Sequence, residues 1–160
     1  MDKAKQEKKF MRMAIALSQQ NVEKGLGGPF GAVIVKDGKV LARSANRVTT
    51  TNDPTAHAEV AVIRLASKKL KSFDLTGCEI YTSCEPCPMC LGAIYWSRIS
   101  KVYYANTKDD AAAIGFDDKF IYNELDLQPD DRKLPATQLL REEAIKTFEH
   151  WQESESKIQY

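Results

Sequence analysis

The order of apolar and polar residues predicts an α/β domain in which helices cover a mixed β-sheet. Three observations lead to this prediction: amphipathic helical repeats near both ends of the chain, a β-rich hairpin in the first third, and an alternation of helix and strand after it. A chain of 160 residues is long enough for one domain with a substantial core. We therefore expect residues 1–160 to form a single domain.

The N-terminal part of the chain should contain a helix followed by a hairpin. Apolar residues recur at the i, i+3, i+4 and i+7 positions of one helical face over residues 5–22. Two β-rich runs then occupy residues 29–46, and Asp37 and Gly38 lie between them. Both residues tolerate the positive φ angles of a tight turn, so the two runs should pair as antiparallel strands.

The rest of the chain predicts further helices and strands in alternation. Asp53 and Pro54 are typical of an N-cap and a first helical position, so a second helix should run from there toward Leu70. The later elements are a strand over residues 79–83, a helix over residues 88–94, a strand over residues 101–105, and a final helix whose apolar face holds Leu140, Ala144, Phe148 and Trp151.

Composition and charge argue against several classes of protein. No segment has the length and apolar character of a membrane span, and residues 1–9 lack the apolar core of a secretory signal. We therefore expect a cytoplasmic protein. With 23 basic and 22 acidic residues, the net charge of +1 gives no general electrostatic reason to hold a phosphate backbone. We do not expect a nucleic-acid partner.

Two short motifs place potential metal ligands at predicted helix starts. The motif TAHAE carries His57 and Glu59, and EPCPMC carries Cys87 and Cys90. One imidazole and two thiolates suit Zn²⁺, and three protein ligands leave a fourth position for water, as in catalytic zinc sites. Zinc lowers the pKa of such a water to about 7. Glu59, close to the start of its helix, is the candidate proton carrier.

Each motif alone has a plainer interpretation. His57 could be an ordinary helix histidine, and the CxxC pair could be buried thiols or a redox pair. Together, HxE and PCxxC form the signature of zinc-dependent nucleobase deaminases. Cys78 and Cys84 have no such partners, and we interpret them as small buried hydrophobes. A structural zinc module remains an alternative, and it would need a fourth ligand such as Cys84.

The segments GGPFGAVIVKDG, NDPTAHAEV, YTSCEPCPMCLGAIYW and IGFDD resemble the cytidine deaminase-like superfamily, and within it the bacterial guanine deaminases. The resemblance covers almost the whole chain, and GFDD and the terminal tyrosine favour the guanine deaminases. It implies a three-layer α/β/α fold around a mixed five-stranded sheet, with zinc on His57, Cys87 and Cys90 and with Glu59 as proton shuttle. It also implies a homodimer that exchanges its C-terminal segments, about residues 138–160.

A purine base needs flat apolar walls and polar groups that match its donors and acceptors. The candidate walls are Phe30, Trp96, Phe116 and Tyr160, the last of which would cover the pocket of the other subunit. By resemblance, Asn46 contacts the O6 and N7 edge. Asp118, rather than Asp117, could accept hydrogen bonds from the N–H groups of guanine. The plainer alternatives are core phenylalanines, a turn asparagine and a solvated acidic loop.

We therefore expect zinc-dependent hydrolytic deamination of guanine to xanthine and ammonia, in purine catabolism or salvage. Two alternatives would use the same zinc chemistry. A guanosine deaminase would need room for the sugar, and a tRNA-specific adenosine deaminase would need a surface for the RNA stem.

Overall fold

The computed structural model describes residues 2–160, which divide into two compact units, one ending at Lys119 and the other comprising Phe120–Tyr160. The first unit contains four strands and most of the helices. Its elements in chain order are α1 (Lys3–Glu23), β1 (Gly31–Lys36), β2 (Lys39–Ala45), α2 (Val48–Thr51), α3 (Ala58–Leu70), β3 (Cys78–Cys84), α4 (Pro88–Trp96), β4 (Lys101–Asn106) and α5 (Lys108–Ala113). Every helix and strand predicted in this part of the chain is present.

The sheet has the strand order β2-β1-β3-β4. Strand β1 pairs antiparallel with both β2 and β3, whereas β3 and β4 are parallel, so the prediction of a mixed sheet is confirmed. The prediction of five strands is wrong, because within residues 2–160 the sheet has four. Immediately after β4, Thr107 and Asp110 form a capping box that begins the alanine-rich helix α5, and the chain turns helical there.

Alternating residues of the strands face two separate cores, as expected for a sheet covered on both sides. One face packs against α1, with Phe10, Ala14, Val33, Val35 and Tyr81 buried together. The other face packs against α3 and α4, with Ala32, Ile34, Val62, Ile80 and Ile94 among its buried residues. These two cores make three layers, α/β/α, as predicted.

Two local features of strand β1 depend on particular residues. Asp37 and Gly38 have φ angles of 49° and 71°, so the predicted hairpin turn between β1 and β2 is confirmed. Gly31 lies where α1 crosses β1, and a Cβ there would come 2.4 Å from the backbone oxygen of Ala14. The close packing of this helix on the sheet therefore requires glycine at this position.

Helix α3 begins later than the sequence predicts. The carboxylate of Asp53 accepts hydrogen bonds from the backbone N–H and the hydroxyl of Thr55, at 2.8 and 2.6 Å, and so stabilises a turn rather than a helix start. The N-cap of α3 is His57, and Ala58 is the first helical residue. This delay places His57 at the open end of the helix.

The second unit is helical. It contains most of α6 (Lys119–Leu125), a single 3₁₀ turn (Pro129–Asp131) and α7 (Arg141–Glu153), which confirms the predicted final helix. The guanidinium of Arg132 donates to the backbone oxygens of Glu124 and Leu127, which ties the turn to the end of α6. Over residues 2–160, no helix combines the length and the apolar character that crossing a membrane requires.

Candidate functional site

Three potential metal ligands from two helix starts converge in the first unit. His57 is the N-cap of α3, Cys87 is the N-cap of α4, and Cys90 lies in the first turn of α4. The Nδ1 atom of His57 is 3.5 Å from the Sγ atoms of both cysteines. All three ligand atoms lie within 4.8 Å of one another. The structure therefore brings together the three ligands that the sequence predicts.

The spacing of these atoms fits zinc. Tetrahedral bonds of about 2.0–2.1 Å to nitrogen and about 2.3 Å to sulfur separate the two kinds of ligand atom by about 3.6 Å. The observed 3.5 Å agrees with that value. Among the described residues the cluster contains three ligands and no fourth, which leaves one position open. Cys84 is not part of it, and its Sγ instead lies 3.6 Å from the backbone oxygen of Thr107.

Interactions among the three candidate ligands favour the thiolate form of Cys87. A hydrogen bond from Cys90 lowers the pKa of the Cys87 thiol to about 4, and His57 contributes to the same shift. The hydrogen bond with Cys87 raises the pKa of Cys90 and also that of His57. These shifts favour the thiolate form of Cys87, and a metal cation would replace the protons that the three groups share.

Glu59 lies beside the three ligands. It is the second residue of α3 and is only 5% exposed. Its Oε1 atom accepts a 2.9 Å hydrogen bond from the Thr82 hydroxyl, and its Oε2 atom is 3.5 Å from Cys90 Sγ. Burial raises the pKa of this carboxyl group above its ordinary value of 4.5, which is the direction that burial gives to carboxyl groups in enzyme sites.

A cavity of about 410 Å³ opens beside the cluster. Its walls include His57 and Glu59 together with four predicted pocket residues, Phe30, Asn46, Phe116 and Asp118. The rings of Phe30 and Phe116 pack edge to face, with their centroids 5.0 Å apart. The cavity therefore has an aromatic wall, and its lining includes two polar side chains, Asn46 and Asp118, together with the candidate metal ligand His57.

The side chain of Asn46 is oriented by the start of α2. Its Oδ1 atom accepts a 3.2 Å hydrogen bond from the backbone N–H of Val48, which orients the amide; the NH₂ donor has no acceptor among the described residues and can bind a ligand. The amide of Asn21 donates 2.9 Å hydrogen bonds to the backbone oxygens of Asn46 and Gly28 and so joins the two loops. A Cβ at Gly27 would lie 2.7 Å from the Asn46 backbone oxygen, so this approach requires glycine.

The two aspartates of GFDD have different surroundings. The Oδ1 atom of Asp118 is buried and has no hydrogen-bond partner among the described residues. Burial raises the pKa of Asp118. Asp117 instead accepts a 2.9 Å hydrogen bond from the backbone N–H of Lys119 at the start of α6. The unpaired buried acceptor therefore belongs to Asp118.

Two predicted pocket residues are not part of the cavity wall. Trp96 is the last residue of α4 and is 69% exposed, and Tyr160, the last residue of the second unit, is 72% exposed. Their roles in the pocket stay predictions. Two residues of the site were not predicted: Thr82, which contacts Glu59, and Lys108, which lines the cavity. The alternation of side chains along β3, which places Thr82 and Cys84 on one face, was the available signal for Thr82.

Comparison with known proteins gives consistent matches. Residues 4–106 match the family model for the cytidine and deoxycytidylate deaminase zinc-binding region. Guanine deaminase of Bacillus subtilis strain 168 is 52% identical over 151 residues, which cover 94% of this chain and 97% of that protein. An X-ray structure of guanine deaminase from Bacillus subtilis aligns with a TM-score of 0.94 at 49% identity, covering 100% of this chain and 99% of that one. The tRNA-specific adenosine deaminase of Agrobacterium fabrum is 43% identical over 105 residues, covering 66% of this chain and 68% of that protein.

Proposed function

Because the chain belongs to the cytidine and deoxycytidylate deaminase family, we propose that it is a zinc-dependent guanine deaminase, a hydrolase that converts guanine and water to xanthine and ammonia. The observation that carries this proposal is the similarity to Bacillus subtilis guanine deaminase over 94% of the chain. The family model ends at residue 106, and the match to the tRNA deaminase covers 66% of the chain. The similarity to guanine deaminase thus extends through the region that follows the zinc-binding motifs.

His57, Cys87 and Cys90 would hold Zn²⁺, since their types and spacing fit its tetrahedral coordination. When bound, zinc lowers the pKa of a water molecule, which makes that water an effective nucleophile at neutral pH. The cysteines must stay reduced to bind the metal, and all four cysteines of the chain are free thiols. A reducing compartment preserves that state, so we propose that the protein acts in the cytoplasm.

Glu59 moves the protons of the reaction. Water attacks C2 of guanine, and Glu59 accepts the proton that the water loses. The carboxyl group then delivers this proton to the adjacent ring nitrogen. It next takes the remaining proton from the hydroxyl added at C2 and passes it to the amine; the C2–N bond breaks, the C2=O bond forms and ammonia leaves. Burial of Glu59 beside Cys90 keeps this exchange away from bulk solvent.

Asn46 and Asp118 orient the base. The free NH₂ group of Asn46 donates to the O6 and N7 acceptors of guanine. The unpaired Oδ1 of Asp118 accepts from the ring and amino N–H groups on the opposite edge. Phe30 and Phe116 supply the aromatic wall against which the ring packs. This set of donors and acceptors matches guanine better than adenine or cytosine.

We also propose a homodimer that exchanges its C-terminal segments, with Tyr160 covering the pocket of the other subunit. This follows from the resemblance to the guanine deaminases and is supported by the surface of α7. Phe148 and Trp151 lie on one face of that helix, and both are exposed in the single chain. Apolar residues grouped on one helix face are typical of a surface that binds another protein.

The proposed function can be tested with zinc-loaded protein and a panel of guanine, guanosine, adenine, cytidine, cytosine and a tRNA anticodon stem, with release of ammonia as the measurement. We expect turnover of guanine. Turnover of guanosine would indicate that the pocket accommodates a sugar, and turnover of the stem would indicate a tRNA-specific adenosine deaminase. If another member is converted while guanine is inert, the substrate assignment is wrong although the zinc chemistry stands.

A further inference from the structure

The hydroxyl group of Thr82 holds one oxygen of Glu59 inside the protein. Thr82 lies on β3, is 1% exposed, and faces the same core as Ile80. Its Oγ1 atom is 2.9 Å from Glu59 Oε1 and 3.0 Å from the backbone oxygen of Cys84. The second carboxylate oxygen, Oε2, lies 3.5 Å from Cys90 Sγ, one of the ligand atoms. The two oxygens of Glu59 are thus in different surroundings.

The contact between Thr82 and Glu59 is separate from the candidate metal ligands. Thr82 is not one of the three residues that could hold a metal, so a metal bound to His57, Cys87 and Cys90 would leave its contact with Oε1 in place.

We propose that Thr82 is a positioning residue for Glu59, which anchors Oε1 so that Oε2 is the oxygen that exchanges protons beside the metal cluster. The inference rests on the proposed role of Glu59 as proton carrier. A carboxyl group at the second position of a helix can rotate about its side-chain bonds unless one oxygen is held. A buried hydrogen bond from a neighbouring strand supplies that restraint.

The surroundings of Thr82 let it keep the contact throughout the reaction. While Glu59 is ionised, the hydroxyl donates to Oε1. When Oε2 takes up a proton, Oε1 remains a carbonyl oxygen and can still accept from the hydroxyl. A valine at this position has the same shape but cannot donate.

The test compares Thr82→Val with Thr82→Ser in zinc-loaded protein. We expect Thr82→Val to lower kcat for guanine by about tenfold or more, the usual effect of removing a hydrogen bond that orients a functional group. KM and zinc content should stay at wild-type values, because Thr82 itself neither lines the cavity nor belongs to the group of candidate metal ligands. Thr82→Ser keeps the hydroxyl and should recover most of kcat.

Ser83→Ala is the matched control. This neighbouring strand residue is also buried, and its hydroxyl accepts a 3.0 Å hydrogen bond from the backbone N–H of Gly31 rather than contacting Glu59. It should lower the thermal midpoint and leave kcat unchanged. Wild-type kcat in Thr82→Val would overturn the proposal, and so would a kcat that falls only in proportion to lost zinc.

The same experiment separates this proposal from the proposed function. Wild-type protein that fails to convert guanine contradicts the substrate assignment and leaves the positioning of Glu59 to be measured on whichever member of the panel is converted. If no member is converted, both proposals are wrong.

Discussion

The carboxyl group of Glu59 is buried, contacts Thr82 and Cys90, and lies beside the three candidate metal ligands. Glu59→Gln has nearly the same shape but cannot take up a proton. We expect turnover to fall by about 10²- to 10⁴-fold, the range of a lost general acid and base. Zinc should be retained, because His57, Cys87 and Cys90 are unchanged. Steady-state kinetics and metal analysis on the same sample measure both quantities.

The combination of the two measurements is what decides the role of Glu59. Near-wild-type turnover in Glu59→Gln would end its assignment as proton carrier. Low turnover with equally low zinc would instead indicate that the substitution disturbs the metal cluster.

Asp118 and Asp117 offer a matched pair for testing substrate recognition. In Asp118→Asn, the NH₂ group or the neutral carbonyl oxygen of the amide would stand where Asp118 has its unpaired buried Oδ1. Hydrogen bonds to a charged group contribute about 1.5–3 kcal/mol, so kcat/KM for guanine should fall by about one to two orders of magnitude. Asp117→Asn keeps an oxygen for the Lys119 N–H and should change kcat/KM little. Equal losses in the two variants would contradict the assignment to Asp118.

At the scale of the elements, the site is built from helix starts. α3 and α4 both begin at a candidate metal ligand, His57 and Cys87, and the first N–H groups of a helix have no acceptor within the helix backbone. Those groups and the helix dipole stabilise negative charge, which favours the thiolate form of cysteine. Within a helix, neighbouring residues point in directions about 100° apart around the axis. Residues at a helix start are less restricted, so ligands from two helix starts can point toward one site.

Helix α5 contributes a wall of the cavity and depends on its capping box. The backbone N–H and the hydroxyl of Thr107 donate to the Asp110 carboxylate and lower its pKa from the ordinary value of 3.8. The pKa of Asp110 is lower in the folded protein than in the unfolded protein, so its carboxylate stabilises the fold at pH values above the unfolded pKa. This contribution is lost as the pH falls through the folded pKa. We expect Asp110→Asn to be less stable than wild type at pH 7.

The difference in unfolding free energy between Asp110→Asn and wild type should shrink as the pH is lowered toward 3, because the wild-type carboxylate becomes protonated. Urea denaturation at several pH values measures it. Asp109→Asn is the control, since Asp109 lies in the same first turn but outside the capping box. A difference that does not change with pH, or that is the same for both variants, would argue against the capping box as its origin.

At the scale of the whole molecule, the proposed exchange of C-terminal segments predicts that the end of the chain contributes to catalysis. Removal of residues 154–160 should raise KM for guanine if Tyr160 covers a pocket, because the base would lose an apolar contact. Tyr160→Phe is the matched control, since it keeps the ring and removes the hydroxyl. Sedimentation of the same samples reports whether the protein is a dimer. Unchanged kinetics in the truncated protein would contradict the proposal that Tyr160 covers a pocket.

The sequence by itself predicted helices α1, α3, α4 and α7, the four strands, the layered α/β class and the three candidate zinc ligands, but not α2, α5 or α6. These features depend on local information: apolar periodicity defines an element, and the HxE and PCxxC motifs place their ligands within one turn of a helix start. The late start of α3 escaped prediction, because an aspartate followed by proline is compatible with both a helix N-cap and the turn that Asp53 forms with Thr55.

Only the tertiary structure decided the rest. The four-strand sheet, the contact of Thr82 with Glu59, the NH₂ group that Asn46 leaves for a ligand, and the unpaired oxygen of Asp118 were not evident from the sequence. Thr82 and Glu59 are 23 residues apart and meet because α3 packs on the face of β3. Which atoms of a buried side chain remain unpaired depends on how separate elements pack together, and neither composition nor spacing specifies that arrangement.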